Sequence, residues 1–202
     1  AMFFSRKFTL AGPIRGLVLV GYMTPMSVTA LLGKNLFLLD GGVINDLLMK
    51  VHLISSPIDW LVNGGTALGA VIAVNCWVGI PFNMLLLTSG LTGISTDIYE
   101  SASMDGANAF KRFIYITLPL MKPAMLSVLM LGFIYTFKAF DLMYIMTAGG
   151  PFNSTDVLGT YAYSKAFTQY EFSQGSAIAM VLFACLFLVG IFYLKLLSKE
   201  DD

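Results

Sequence analysis

The chain carries few side chains suited to making or breaking bonds. His52 is its single histidine, and Cys76 and Cys185, its two cysteines, both lie inside apolar runs. A cysteine there behaves as a small core residue, not as half of a disulfide or a metal site. No cysteine, aspartate or second histidine stands at ligand spacing from His52, which reads as a surface loop residue. There is no nucleophile and base at recognisable spacing, and no G-x-x-x-x-G-K-S/T phosphate loop. An enzyme assembled from distant positions stays open as the competing reading. What remains suits reversible binding. Asn75, Asn83, Tyr135, Lys138, Asp141 and Tyr144 are polar or aromatic groups set within long apolar stretches, and together such groups hold a polar solute by hydrogen bonds and aromatic faces. An amide at membrane depth needs a partner, either another helix or a wet cavity. Lys138 and Asp141, at i and i+3, are expected to face one another on a helix, as a structural tie or as part of a path.

The elements that position these groups are expected to be membrane helices. Hydrophobic residues make up 57% of the 202, too many for a usual soluble domain, so an all-α polytopic fold is expected. Twelve acidic residues balance twelve basic ones, leaving nucleic-acid binding without electrostatic support. Four spans are expected, near residues 16–33, 67–91, 123–147 and 176–197. Pro25 is expected to kink the first. Between the first two spans, Val43, Ile44, Leu47, Leu48 and Val51 recur at helical spacing against Asn45, Asp46 and Lys50, which predicts a short amphipathic helix along the outer membrane face. Trp60 fits an interfacial anchor. A second outer loop starts at Gly149-Gly150-Pro151 and continues into a helix bearing Tyr161, Tyr163 and Phe167. With four spans, Arg6, Lys7, Arg15, Lys111, Arg112, Lys122, Lys195 and Lys199 share one side, against Lys34, Lys50 and Lys165 on the other. This bias places both chain ends and the 97–119 segment in the cytosol. The opening residues AMFFSRKF show no signal-peptide pattern.

Residues 97–119 are the stretch most suited to meeting another protein. Asp97 is expected to cap a helix whose third residue, Glu100, completes a capping box. Ser101, Ala102 and Ser103 give that helix a low-relief face, and Gly106 lets it end in the left-handed conformation. Asn108 is expected to cap a second helix, and Pro119 to stop it.

Glu100, Ser101, Ala102, Asp105 and Gly106, followed by Ile116, Leu118 and Pro119, resemble the EAA loop of importer permeases. These are the inner-membrane subunits of binding-protein-dependent ATP-binding-cassette transporters. The one departure is Ser101 in place of alanine, and it keeps the residue small. The segment Phe140-Asp141, Tyr144, Thr147 and Gly149-Gly150-Pro151 resembles the sugar-type members.

The resemblance implies that residues 1–202 form one membrane domain of a permease with six or more helices, with at least two helices upstream. It implies that residues 97–119 form a cytosolic coupling loop, in which Glu100 fixes the coupling helix, Gly106 permits its sharp end and Pro119 directs the return helix. The implied partners are two ATPase subunits, a second permease, an extracytoplasmic solute-binding protein and the lipid bilayer. No cofactor is expected on this chain, since ATP and magnesium would sit on the ATPase subunits. The implied location is a prokaryotic cytoplasmic membrane, so the Asn153-Ser154-Thr155 glycosylation pattern carries no weight.

Overall fold

Backbone amides in hydrocarbon must pair within their own segment, which favours helices for so apolar a chain. The computed structural model describes residues 11–198, and these form ten helices joined by turns and loops. In chain order the first five are α1 (Ala11–Met23), α2 (Met26–Leu36), α3 (Val43–Lys50), α4 (Gly64–Thr92) and α5 (Thr96–Met104). They are followed by α6 (Ala109–Leu120), α7 (Lys122–Phe137), α8 (Asp141–Thr147), α9 (Leu158–Tyr163, continuing as a π turn over Ser164–Thr168) and α10 (Phe172–Ser198). Arg6, Lys7, Lys199 and the opening stretch lie outside the described residues.

Among the described residues two helices are long and apolar enough to cross a membrane, α4 and α10. Two bent pairs, α1 with α2 and α6 with α7, pass the same test, giving up to four spans. The first expected span is therefore broken and not merely kinked. Pro25 has no N–H and takes an extended backbone (ψ 142°), so it ends one helix path and caps the next. Its carbonyl accepts from the Thr29 amide at 3.0 Å and from the Thr29 hydroxyl at 3.2 Å.

Pro119 likewise does not stop its helix. Residues Phe113–Thr117 form a widened π turn, and the helix continues through Pro119 to Leu120. The wider turn relieves the contact between the proline ring and the preceding turn. The bend, 64°, falls at Met121 between α6 and α7.

The third expected span also divides. α7 ends at Phe137, residues 138–140 are non-helical, and α8 starts at Asp141. Lys138 and Asp141 consequently lie on different elements, both are exposed, and they form no ion pair. The expected tie depended on a continuous helix, which the break removes.

The chain comprises two compact units, and α4 and α10 each pass through both. One holds the described part of Ala1–Tyr22 with Gly79–Phe133 and Gly190–Asp202. In it Gly90 of α4 lets the chain approach closely, since a Cβ there would lie 2.7 Å from the Ala124 Cβ. Tyr22 stacks on Phe82 with centroids 5.9 Å apart, and the Ser127 and Tyr193 hydroxyls lie 3.0 Å apart.

The other unit holds Met23–Val78 and Ile134–Val189. Its core joins Ala30 of α2, Ala70, Val71 and Val74 of α4, and Leu142, Met143 and Met146 of α8. Gly33 serves the same purpose as Gly90, because a Cβ there would lie 2.7 Å from Val74 Cγ2.

Within this second unit α3 differs from its expected facing. Asn45, expected on the solvated side, is 1% exposed. Its Nδ2 donates to the carbonyls of Leu38 (3.1 Å), Leu39 (3.3 Å) and Ile58 (2.9 Å). Its Oδ1 accepts from the Ile58 amide (3.1 Å) and from Trp60 Nε1 (2.9 Å). Trp60 is half-buried and committed to Asn45, and its ring also packs edge-on against Phe37 at 5.8 Å.

Candidate functional site

The coupling segment is built almost wholly from local bonds. Ser95 is the N-cap of α5, in extended conformation, and its side chain accepts from the Asp97 amide at 3.3 Å. Asp97 therefore lies inside the first turn, and the expected Asp97–Glu100 capping box does not form. Ser95 already satisfies the leading amide, and an acidic residue in the first turn still complements the helix dipole.

The far end agrees with the expectation. Gly106 has φ +75°, its amide donates to Ser103 O at 3.1 Å, and the Ala107 amide donates to Ala102 O at 2.9 Å. This is a Schellman cap, which a residue with a Cβ adopts only under strain. The space around Gly106 is open, so the backbone angle alone demands glycine. Asn108 then caps α6 by accepting from the Lys111 amide at 2.9 Å, as expected.

Two further contacts brace the segment. The Tyr99 hydroxyl lies 3.0 Å from Thr117 Oγ1, joining α5 to the return helix, and Thr117 is buried. Arg112 donates to Ser103 Oγ at 2.7 Å, and Ser103 donates in turn to Tyr99 O at 2.7 Å. Tyr99 and Thr117 are not among the expected site residues, and Arg112 is expected only as a cytosolic-side charge, although Thr117 lies between the two motif residues Ile116 and Leu118.

What the segment leaves bare matters most. No residue of α5 is buried. Glu100, Ser101 and Asp105 are exposed, Ala102 is half-buried, and the Glu100 carboxylate has no partner among the described residues. Ile98, Met104, Phe110 and Tyr115 add exposed apolar surface. Of the return-helix residues, Ile116 is half-buried while Leu118 and Pro119 are exposed. A rigid backbone thus carries a low-relief surface whose polar and apolar groups are not consumed by the chain itself.

The candidate solute-binding residues divide between the units. Asn83 belongs to the first, whereas Asn75, Tyr135, Lys138, Asp141 and Tyr144 belong to the second. Asn75 and Asn83 are half-buried, and neither side chain has a hydrogen-bond partner among the described residues. Tyr135, Lys138, Asp141 and Tyr144 are exposed. Tyr144 does not stand alone: it stacks on Phe140 at 5.1 Å and meets Tyr163 edge-on at 5.0 Å. Phe140 also meets Tyr163 at 5.0 Å, and Phe167 extends the row at 5.1 Å from Tyr163. The segments bearing Asn75 and Tyr144 are fastened by Val71 and Val74 against Leu142 and Met146.

The loop after α8 is held by side-chain hydrogen bonds. Thr155, 2% exposed, donates to Gly150 O at 2.7 Å and lies 2.7 Å from the Thr147 hydroxyl. Thr160 bonds the Asp156 carboxylate, and the Val157 amide donates to Thr160 Oγ1 at 2.9 Å. At the tip, Phe152 is 99% exposed and left-handed (φ 50°), as is Asn153 (φ 58°).

Residues 1–199 match the family model described as binding-protein-dependent transport system inner membrane component. The chain is 32% identical over 201 residues to the sulfoquinovosyl glycerol transport system permease protein SmoG of Agrobacterium fabrum, covering 100% of this chain and 65% of that protein. It is 32% identical over 195 residues to the trehalose/maltose transport system permease protein MalF of Thermococcus litoralis, covering 96% of this chain and 65% of the relative. The chain thus spans just under two thirds of these relatives' length. Its fold superimposes on a chain of a bacterial ABC transporter involved in import of the acidic polysaccharide alginate, with TM-score 0.86, 18% identity, and 99% and 70% of the two chains covered. With nearly its whole length matched by the family model, the chain belongs to the binding-protein-dependent transport system inner membrane components.

Proposed function

We propose that this chain forms the transmembrane core of a permease subunit in an ATP-binding-cassette importer for a sugar or related polyhydroxylated solute. The coupling segment carries the reading: α5 has capped ends, a braced base and an unburied outer face bearing Glu100, Ser101 and Ala102. A segment whose job was only to connect two helices would have no need of so rigid a backbone under so bare a surface. It docks on a cytosolic ATPase subunit, one of a pair that holds the ATP and magnesium, and a second permease completes the pathway. Closure of the ATPase pair pushes α5. The Tyr99–Thr117 contact and the continuous path through α6 pass that push to α7, and the pathway alternates between outward and inward access.

The solute class follows from two supports. The relatives SmoG and MalF belong by name to transport systems for a sugar glycoside and for disaccharides. Asn75 keeps an unspent amide on α4, and Tyr144 of the same unit lies in an aromatic row, the two kinds of group that grip a sugar. The loop bearing Phe152 faces outward on this reading and meets the solute-binding protein.

The test is a cysteine at Ser101, with Cys76 and Cys185 removed, in the assembled transporter. A crosslink to the ATPase subunit whose yield changes with nucleotide is expected. Absence of a crosslink in an assembled complex overturns the coupling role.

A further inference from the structure

Helix α3 has three faces, and the buried Asn45 decides where each points. At about 100° per residue, Val43, Leu47 and Val51 share one stripe of the α3 surface and are 56%, 57% and 55% exposed. Asp46 and Lys50, one turn apart and exposed, border this stripe on one side. Ile44, Asn45, Leu48 and Met49 lie on the other side and are buried or half-buried. The helix cannot roll about its axis, because Asn45 holds the carbonyls that follow α2 (Leu38, Leu39) and the strap that precedes α4 (Ile58, Trp60). The entry turn is equally constrained: a Cβ on Gly42 would lie 2.1 Å from Leu38 O. Asn45 therefore stitches α3 to the segment that follows α2 and to the segment that leads into α4.

We infer that α3 lies in the surface of the bilayer leaflet at the α4 N-terminus, with Val43, Leu47 and Val51 among the acyl chains and Asp46 and Lys50 among the headgroups. This rests on the family's membrane location and not on the solute. Three observations select lipid as the occupant. The stripe is purely aliphatic and lacks the tryptophan, tyrosine and arginine that anchor protein interfaces. Aliphatic residues of the adjoining α2 and of the turn after it are exposed as well, namely Val28, Leu31, Leu32, Leu36, Leu38 and Leu39. Its charged border is an acid followed four residues later by a base, balanced in sign and placed where Lys50 can extend its stem along the apolar surface towards the headgroups. The feature inverts the usual surface helix, since here the amide is packed inward and the aliphatics are left outward.

The experiment places single cysteines, Leu47→Cys or Asp46→Cys, in the full transporter lacking Cys76 and Cys185, reconstituted in lipid nanodiscs and labelled with an environment-sensitive fluorophore. Lipids carrying a nitroxide high on the acyl chain are expected to quench the Leu47 label several-fold more than the Asp46 label, and a water-soluble paramagnetic quencher is expected to reverse that order. If neither quencher reaches the Leu47 label, protein covers the stripe. If only the soluble quencher reaches it, the stripe stands in water. Either result overturns the inference. Val51→Cys, one turn further along the same stripe, gives the same readings should the Leu47 variant fail to assemble.

Discussion

The segment between α2 and α4 and the segment between α4 and α6 both carry polar side chains between apolar helices, and they use them in opposite ways. Asn45 spends every hydrogen-bonding group it has inside the fold, and nothing polar is left over for a partner. Glu100 spends none, although the backbone beneath it is capped at both ends. An asparagine with all its groups paired fixes a local shape. A carboxylate left unpaired on a rigid helix offers that shape to something else. The contrast separates residues whose loss unfolds the segment from residues whose loss silences it.

The sharpest way to break this contrast is Asn45→Leu. The change leaves the Leu38 and Leu39 carbonyls and the Trp60 indole without their partner, and a buried polar group left unpaired costs about 1–3 kcal/mol. Thermal unfolding of the purified transporter should fall by several degrees and assembly should decline. Glu100→Gln, with no bond to lose, should leave the melting temperature unchanged while lowering uptake. Equal losses of stability in the two variants would dissolve the distinction.

The same two segments differ in how much of them is legible in the sequence. The spacing from Glu100 to Pro119 was legible because caps and left-handed turns are local events: Gly106 and Asn108 do what their residue types dictate. The N-cap was misplaced by two residues because Ser95 and Asp97 are both capping types, and only the backbone angles tell which is used. Pro119 misled because a π turn just before it absorbed the proline. Lys138 and Asp141 misled because their i, i+3 spacing assumes an unbroken helix, whereas residues 138–140 are non-helical. Asn45 was the largest miss. Periodicity assigns every polar residue to the wet face, whereas the bonds that draw Asn45 inward come from Leu38, Leu39, Ile58 and Trp60, residues that no helical period connects. The one available signal was Gly41-Gly42, a turn that brings the chain back upon Leu38.

The next largest effect is expected at Gly106, and it sharpens the same comparison from the other side. A β-branched residue at φ +75° costs about 1–2 kcal/mol, borne by the end of α5 alone. Gly106→Val should therefore leave assembly intact and abolish the coupling of ATP hydrolysis to uptake. Gly106→Asn should retain much of it, because asparagine tolerates the left-handed region. Equal activity in the Val and Asn variants would show that the Schellman cap is not what transmits the motion.

Phe152 tests whether an unspent side chain on the loop proposed to face outward behaves like Glu100. It stands fully exposed on a loop held by Thr155 and Thr160, so Phe152→Ala removes no packing within the chain. Stability should hold or rise slightly. Stimulation of the ATPase by the solute-binding protein should drop about tenfold, the size of effect an aromatic anchor gives at an interface. Unchanged stimulation would remove this loop from the docking face.

The smallest expected effect is the interaction between Lys138 and Asp141. Had they shared a helix, each would have neutralised the other, and replacing one alone would have harmed uptake more than replacing both. Because the chain breaks between them and both are exposed, each acts independently. Lys138→Gln and Asp141→Asn should therefore combine so that their separate effects on the logarithm of the uptake rate add, as expected for groups with no shared contact. Restoration of uptake in the double variant would mean that the two charges meet in some state of the transport cycle, and would return them to the paired class that Asn45 represents.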